Sequence, residues 1–525
     1  MRAEPTIANT DGGYAFVQLR RAPAGQALAQ SPHAIREVGL FAGVAVLCVS
    51  FDLIAPGNLG LSLAGITYLV WSLSLARWEA CLSTLKLNPL VCYQLWQAVT
   101  LGIAPAYLAL RYSADASLPL LHHAVPLADV SYGHAILIAG SCAFYAGMRR
   151  GRPAQLARFR PCPYTPSSGV LLLLLLLGVA TFIWADAITP YLGSTVVQFR
   201  LLPIVVFSMI ALNPPRALTG LPNAQLCVLL AGSLLLLGLS ATRDSKMELM
   251  FSFFPLVWWM LWRRKRQTLA VGGLVLAWFY LVVVAPVVSV VRTRVPRDEA
   301  GRIAVLNLRF VDDVAAGLRE NITSRPGEAT LDSVDATMLR LCDSSAAGLV
   351  ASLAESGGLL AGRSLYYVPV AFIPRAIWRE KPSIEPGREF TAALGWVSDS
   401  SLAQTSTGET SAGELYWNFG WPGVLIGMYI LGFLLSWLWW GAAGPDPRRG
   451  IIEMVAYVGA TLTFVLGTGA AAGPLFVNCI ANGLLWRTLI FLRNRMARRS
   501  LTSATHPLAL YASNPLRAPA HAGRA

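Results

Sequence analysis

The sequence predicts an all-α polytopic membrane protein, and three observations carry that expectation. Of 525 residues, 55 % are hydrophobic and only 13 % are charged, against roughly 25 % charged in a soluble domain. Apolar stretches of about 20 residues, the length that crosses a bilayer as a helix, recur from about residue 38 to about residue 492. Arginine clusters fall between those stretches. This composition excludes a water-soluble enzyme, a disordered chain and a nucleic-acid-binding domain. The net charge of +14 lies in short clusters between apolar segments, which the positive-inside rule explains without a nucleic-acid partner.

The elements follow in chain order. Residues 1–33 are polar and carry Pro, Gly and Arg but no apolar run ending in a small-residue cleavage motif. They read as a disordered cytoplasmic tail without a removable signal peptide. Candidate spans cover roughly 38–55, 59–76, 90–110, 126–148, 168–188, 196–212, 224–241, 247–262, 269–291, 415–440, 451–470 and 474–492, about twelve in all. Nine of them make a bundle over 34–291 and three close it over 415–492. The segment 493–525 begins basic and turns rich in Ala, Pro and Ser, and reads as a second disordered cytoplasmic tail. The eight cysteines form no CxxC pair and lie mostly in or beside apolar segments, which argues against a disulfide framework or a zinc site.

Orientation comes from four basic clusters: Arg149 to Arg160, Arg263 to Arg266, Arg448 with Arg449, and Arg493 to Arg499. Each follows an even-numbered span, so both termini and every cluster fall on the cytoplasmic side. The same topology places one long segment, 292–414, on the outer side. It holds 16 of the 28 acidic residues and 13 of the 42 basic ones, and a loop of that length is rarely a bare connector. Within it, residues 328–356 have apolar positions at helical spacing and predict one amphipathic helix ended by Gly357 and Gly358. Residues 366–382 contain Pro369, Pro374 and Pro382. They suit a short interfacial helix anchored by Trp378, Tyr366 and Tyr367.

Basic residues on the outer side have no topological reason to be there. Arg292, Arg294 and Arg297 follow the ninth span, Arg243 and Lys246 occupy the turn between spans seven and eight, Arg340 lies mid-helix, and Arg375, Arg379 and Lys381 lie in the interfacial segment. A guanidinium offers a planar fork of donors that fits phosphate oxygens bidentately, so these residues suit a lipid-linked phosphate or diphosphate. Headgroup contact would equally account for Arg292, Arg294 and Arg297. An ion pair with Asp244 or Glu248 would account for Arg243, and a local pair with Asp343 for Arg340.

Carboxylates form the second group. Asp399, Glu409 and Glu414 precede or enter the tenth span, where an apolar boundary drives a carboxyl towards protonation and fits it for acid or base work. A solvated loop would explain the first two; Glu414, inside the span, requires a partner or a function. No metal pattern, Walker loop, GxSxG elbow or HExxH motif is present. His134 reads as a satisfied bundle residue, and the glycines Gly467, Gly469 and Gly473 as close helix packing.

The outer loop and its flanks resemble the bacterial oligosaccharide repeat-unit polymerases of the O-antigen, or Wzy-type, family. The resemblance rests on Gly362-Arg363-Ser364-Leu365-Tyr366, on Ile373-Pro374-Arg375 with Trp378 and Lys381-Pro382, on Gly413-Glu414-Leu415-Tyr416-Trp417-Asn418-Phe419-Gly420, and on the turn Ala241-Thr242-Arg243. It spans about 180 residues. Arg379-Glu380 departs from the acidic or small residues more usual before Lys381-Pro382, and Thr242 stands where Ser is usual.

The resemblance implies a C-type membrane glycosyltransferase of the bacterial inner membrane. Such an enzyme moves a growing glycan from its polyprenyl diphosphate carrier to another lipid-linked repeat unit on the periplasmic face, with no cofactor and no metal. It further implies a chain-length regulator as partner, beside the lipid-linked oligosaccharide and membrane lipid. On this reading Arg243, Arg340 and Arg375 bind the diphosphate and stabilise the leaving group, with Arg292, Arg294 and Lys381 assisting. Glu414 activates the acceptor hydroxyl or holds an arginine in place. Glu409, Trp378, Tyr416 and Asn418 line the substrate, with Trp417 stacking on sugar or anchoring the interface. A lipid-linked glycan ligase shares these features with a different acceptor. A flippase would instead need ionisable residues along a path through the bundle and repeated halves.

The arginine assignment yields a specific expectation. Arg375→Lys keeps the charge but loses the fork, and polymer formation should fall by about 10²-fold or more, the cost of one well-placed donor in other enzymes. The chain length of lipid-linked glycan at matched membrane abundance reads the result; wild-type-like polymer removes the clamp from this position.

Overall fold

The computed structural model describes residues 32–82, 88–113, 117–120, 123–151, 167–192, 199–215, 218, 223–241, 251–262, 315–316, 319, 326–371, 373, 378, 386–395, 408–443, 450–466, 469 and 471–512. The ninth expected span and the basic clusters at 263–266 and 448–449 lie outside them. The chain divides into Met1–Gly43, of which only the start of the first helix is described, and Val44–Ala525, which holds everything else below.

The helices are α1 (Pro32–Ile54), α2 (Asn58–Leu82), α3 (Pro89–Gln97) and α4 (Ala104–Arg111), the last two joined by a π-helical turn at Ala98–Ile103. A two-stranded antiparallel hairpin, β1 (Ser117–Leu120) with β2 (His123–Pro126), leads into α5 (Leu127–Gly151). Next come α6 (Ser168–Leu192), α7 (Leu202–Leu212), α8 (Ala224–Ala241) and α9 (Phe254–Trp262). The later part holds α10 (Pro326–Leu341), α11 (Ser344–Gly357), α12 (Tyr367–Ala371), α13 (Pro386–Ala393), α14 (Ser411–Pro422), α15 (Met428–Ala443), α16 (Ile451–Leu466) and α17 (Ala472–Ala512). Among the described residues four stretches are long and apolar enough to cross a membrane: Asn58–Ala80, Leu127–Gly151, Ser411–Trp439 and Ala472–Arg495. Shorter apolar helices accompany them. Leu172, Leu173, Leu176, Leu177, Ile183 and Trp184 on α6 are all exposed; that much apolar surface belongs in lipid, and the chain is a helical membrane protein.

The sequence of α5 explains why it sits at the centre. Gly133, Gly140, Gly147 and Gly151 recur at spacings of seven, seven and four, on one face of the helix. A Cβ at Gly133 would overlap the Ser344 carbonyl, at Gly140 the Ala412 side chain, at Gly147 the Tyr429 carbonyl and at Gly151 the Phe433 carbonyl. One glycine face therefore seats α11, α14 and α15 at backbone distance, the packing mode that lipid-embedded helices favour. The partners answer with Gly348 against the Asp129 backbone and Gly432 against the Phe144 backbone.

A neighbouring face of α5, one residue on from the glycines, is fastened by polar groups. Ser141 Oγ lies 2.7 Å from the hydroxyls of both Tyr68 on α2 and Tyr93 on α3. His134 is fully buried, with Nδ1 2.8 Å from Asp52 Oδ2 and Nε2 2.8 Å from the Leu101 carbonyl. Because Nε2 faces a carbonyl it must be the protonated donor. Leu101 belongs to the π turn, where the ladder shifts from i+4 to i+5 pairing and the His134 ring reaches a backbone carbonyl. His134 is thus a satisfied bundle residue, as its sequence context suggests.

Three expectations need correction. The single amphipathic helix over 328–356 is two helices broken at Cys342 and Asp343, because Asp343 and the following Ser344 and Ser345 favour a turn over continued helix; its end at Gly357 with Gly358 at φ +80° is as read from sequence. Tyr367 is buried rather than an interfacial anchor. The tail expected to be disordered from 493 is helical to Ala512 as part of α17, its start being rich in the helix formers Arg, Met, Ala and Leu.

Gly147→Leu should force α15 off α5, at a cost of about 1–3 kcal/mol or more for overpacking. Gly238→Ala, where a Cβ meets nothing within 4 Å, is the control. Thermal unfolding of the detergent-solubilised protein should separate the two, with only the first lowering the midpoint.

Candidate functional site

The site forms where three breaks in helix meet. Gly420 has φ +64° and ψ −153°, so α14 is interrupted within the third long apolar stretch and the carbonyls of Trp417 and Asn418 lose their helical partners. The segment before α12 supplies replacements: the Leu360 N–H donates to the Trp417 carbonyl at 2.9 Å and the Ala361 N–H to the Asn418 carbonyl at 3.0 Å. Gly362, at φ +90°, then turns the chain into a 3-10 turn at Arg363–Leu365. At the other end of α14 the N-cap Thr410 takes φ +64° and ψ 154°, and its Oγ1 accepts from the Gly413 N–H at 3.0 Å.

Glu414 stands at the centre, fully buried. The Ser364 hydroxyl donates to its Oε1 at 2.7 Å, and the Gly473 N–H at the start of α17 donates to its Oε2 at 3.0 Å. A helix N-terminus has free amides and a positive dipole end, so a carboxylate is the natural partner there. Asn418 Nδ2 donates to Ser364 Oγ and to the Glu414 carbonyl, each at 2.7 Å. One carboxylate thus joins α14, the 363–365 turn and α17.

Glu409, one residue before the cap, is 2 % exposed. Its Oε2 is buried and has no hydrogen-bond partner among the described residues. Burial, reinforced by the charge of Glu414, pushes its carboxyl up to about 8 despite help from its own backbone amide. The Tyr367 hydroxyl is likewise buried without a hydrogen-bond partner among the described residues, and it lies where a Cβ on Gly473 would be. Burial first, then the charges of Glu414, Glu409 and Glu389, push that phenol up. Glu389 on α13 is raised by burial, with Arg363 pulling the other way. Asp343 faces Gly469 and lines a small cavity with Gln97, Leu101, Leu137, Ser141, Ala412 and Met428. Burial pushes it up to about 7.

The other residues singled out from sequence fall in three groups. Tyr416 and Trp417 are buried in aromatic contacts: the Tyr416 hydroxyl meets that of Tyr132 at 2.8 Å, both rings stand edge-on to Trp421, and Trp417 stands edge-on to Phe390. Arg340 and Trp378 are exposed, Arg340 on α10 and Trp378 in the interfacial segment. Arg243, Arg292, Arg294, Arg375 and Lys381 lie outside the described residues. The structure therefore brings together Glu409, Glu414 and Asn418. It adds Ser364, Tyr367, Glu389 and Gly473, which sequence reasoning had quoted only as motif, anchor or packing residues or not at all. Among the described residues no group of His, Cys, Asp and Glu could hold a metal ion.

No family model, curated protein or solved structure matches the chain.

Ser364→Ala removes one donor from Glu414 and one acceptor from Asn418 inside the protein. Each buried group left short of a partner costs roughly 1–3 kcal/mol, so a clear drop in the detergent melting midpoint is expected, whereas an unchanged midpoint would mean that Glu414 is not held by this bond.

Proposed function

We propose that the chain is a membrane glycosyltransferase of about twelve spans that polymerises polyprenyl-diphosphate-linked oligosaccharide repeat units at the periplasmic face of a bacterial inner membrane, in the synthesis of a surface polysaccharide. The observation that carries this reading is a contact between motifs. The Gly362–Tyr366 and Gly413–Gly420 segments, which bear the family resemblance independently and lie some fifty residues apart, meet through Ser364, Glu414 and Asn418 and through two backbone bonds just upstream. Segments that only filled a loop would have no reason to meet around a buried carboxylate.

The position of the site along the bundle supports the outer side. Glu414 bonds the start of α17 at Gly473, and the arginines Arg493 and Arg495 lie 20 and 22 residues further along the same helix. At 1.5 Å per residue that is about 30 Å, the thickness of the hydrocarbon core. With the basic end in the cytoplasm, the carboxylates fall at the opposite surface. Arg493 is itself pinned there by a bidentate pair with Glu453 on α16, at 2.8 and 2.5 Å.

In this reaction the donor glycan leaves its own diphosphate carrier, so the leaving group is supplied by the substrate. Arg243, Arg340 and Arg375, with Arg292, Arg294 and Lys381, are the assigned diphosphate ligands, and the buried carboxylates around α14 are the source of a base.

The test is a deletion strain carrying either wild type or Arg375→Ala at matched membrane abundance. Polymer ladders from wild type and single repeat units from the variant are expected. Single units on the outer face with a ladder that never depended on this chain would favour a ligase, and units that never reach the outer face would favour a flippase.

A further inference from the structure

Transfer to a sugar hydroxyl needs a base, and the two carboxylates at α14 differ in how far they are already engaged. Both oxygens of Glu414 accept a bond within the protein, Oε1 from the Ser364 hydroxyl and Oε2 from the Gly473 amide. Glu409 Oε2 is buried with no hydrogen-bond partner among the described residues, and so is the Tyr367 hydroxyl. Buried polar atoms are nearly always satisfied, and an open acceptor near an open donor would be satisfied by one ligand that offers both functions. A sugar hydroxyl does. Gly408, next to Glu409 in the chain, abuts the Gly469 carbonyl, the Tyr367 hydroxyl abuts Gly473, and the Glu409 charge bears on that hydroxyl.

Resting on the polymerase reading, we infer that Glu409 is the base that takes the proton of the acceptor hydroxyl, that Tyr367 donates to the same sugar oxygen to hold it in line, and that Glu414 positions the site. In the step, the acceptor O–H proton passes to Glu409 Oε2 and the oxygen's electron pair forms the bond to the anomeric carbon of the growing glycan. The bond from that carbon to the diphosphate oxygen breaks, and its electrons leave with the polyprenyl diphosphate. Glu409 then releases the proton to water.

The groups facing Glu409 are Glu414 on α14, Glu389 on α13 and Tyr367 on α12, with Asp343 across Gly469. Since Glu409 is raised to about 8 and must be ionised to act, the rate should climb with pH and level off above that value. Asp343, raised to about 7, titrates below it, and Asp343→Asn should leave the upper limb in place.

The test measures initial polymerisation rates of the full-length protein in detergent on lipid-linked single repeat units, from pH 6 to 9.5. Glu409→Gln should lower the rate by about 100-fold or more, the usual contribution of a general base, and flatten the climb near pH 8. Glu409→Asp should restore part of the rate. Tyr367→Phe, which removes a hydroxyl that nothing described bonds, should fold normally and lower kcat at unchanged pH profile; it keeps the proposal open to refutation if Glu409→Gln does not fold. Wild-type rate and profile in folded Glu409→Gln, with folded Glu414→Gln inactive, would overturn the proposal and return the base to Glu414. A wild type that makes no ladder from single units would remove the polymerase reading itself, and this assignment with it.

Discussion

The Glu414 carboxylate is the constraint on which the region around it depends. A charge buried in a membrane protein is tolerated only when hydrogen bonds replace the water it has lost. Here the replacements come from two elements far apart in sequence, the Ser364 hydroxyl and the Gly473 amide. Satisfying one side chain therefore fixes where α17 begins, where the 363–365 turn lies and how far α14 runs before Gly420 ends it. Gly408, beside Glu409, is brought against Gly469 and Tyr367 against Gly473 by the same elements.

The glycine face of α5 makes that arrangement possible. Without side chains at Gly133 and Gly140, α11 and α14 approach a single helix at adjacent levels, and the turn at Asp343 reaches as deep as Leu137 and Ser141. A segment that looked like a surface loop in the sequence is in part an inserted helical pair. Backbone that is not helical is tolerated at such a depth only where protein surrounds it, and Gly469, Ala412 and Met428 do so here.

The membrane character and, to within three residues, the bounds of α5 and α8 were legible in the sequence because hydropathy is summed over many residues and forgives local errors. The carboxylates were legible too, since Glu414 inside an apolar stretch has few explanations. What escaped was everything set by a single backbone turn. The break at Asp343 depends on competition between Ser and Asp side chains and the helix ladder. Tyr367 reads as an anchor because a tyrosine near an interface has the same local pattern whether it faces lipid or protein. Gly473 reads as packing, which it also does; its role as a donor comes from its place at a helix start and leaves no trace in composition.

Thr410 and Ala361 both hold positive φ, at +64° and +49°, Thr410 between the two carboxylates in sequence and Ala361 on the segment bonded to the end of α14. For residues with a Cβ this conformation costs energy that must be offset elsewhere, and a β-branched threonine bears it least well. Glycine at either position would relieve that cost, yet the strained residues are what the chain carries. The backbone around the carboxylates is therefore held in its shape by the rest of the fold. Selection for a more heat-resistant protein would be drawn to these two positions, and the variants it returned would trade a fixed backbone for a looser one.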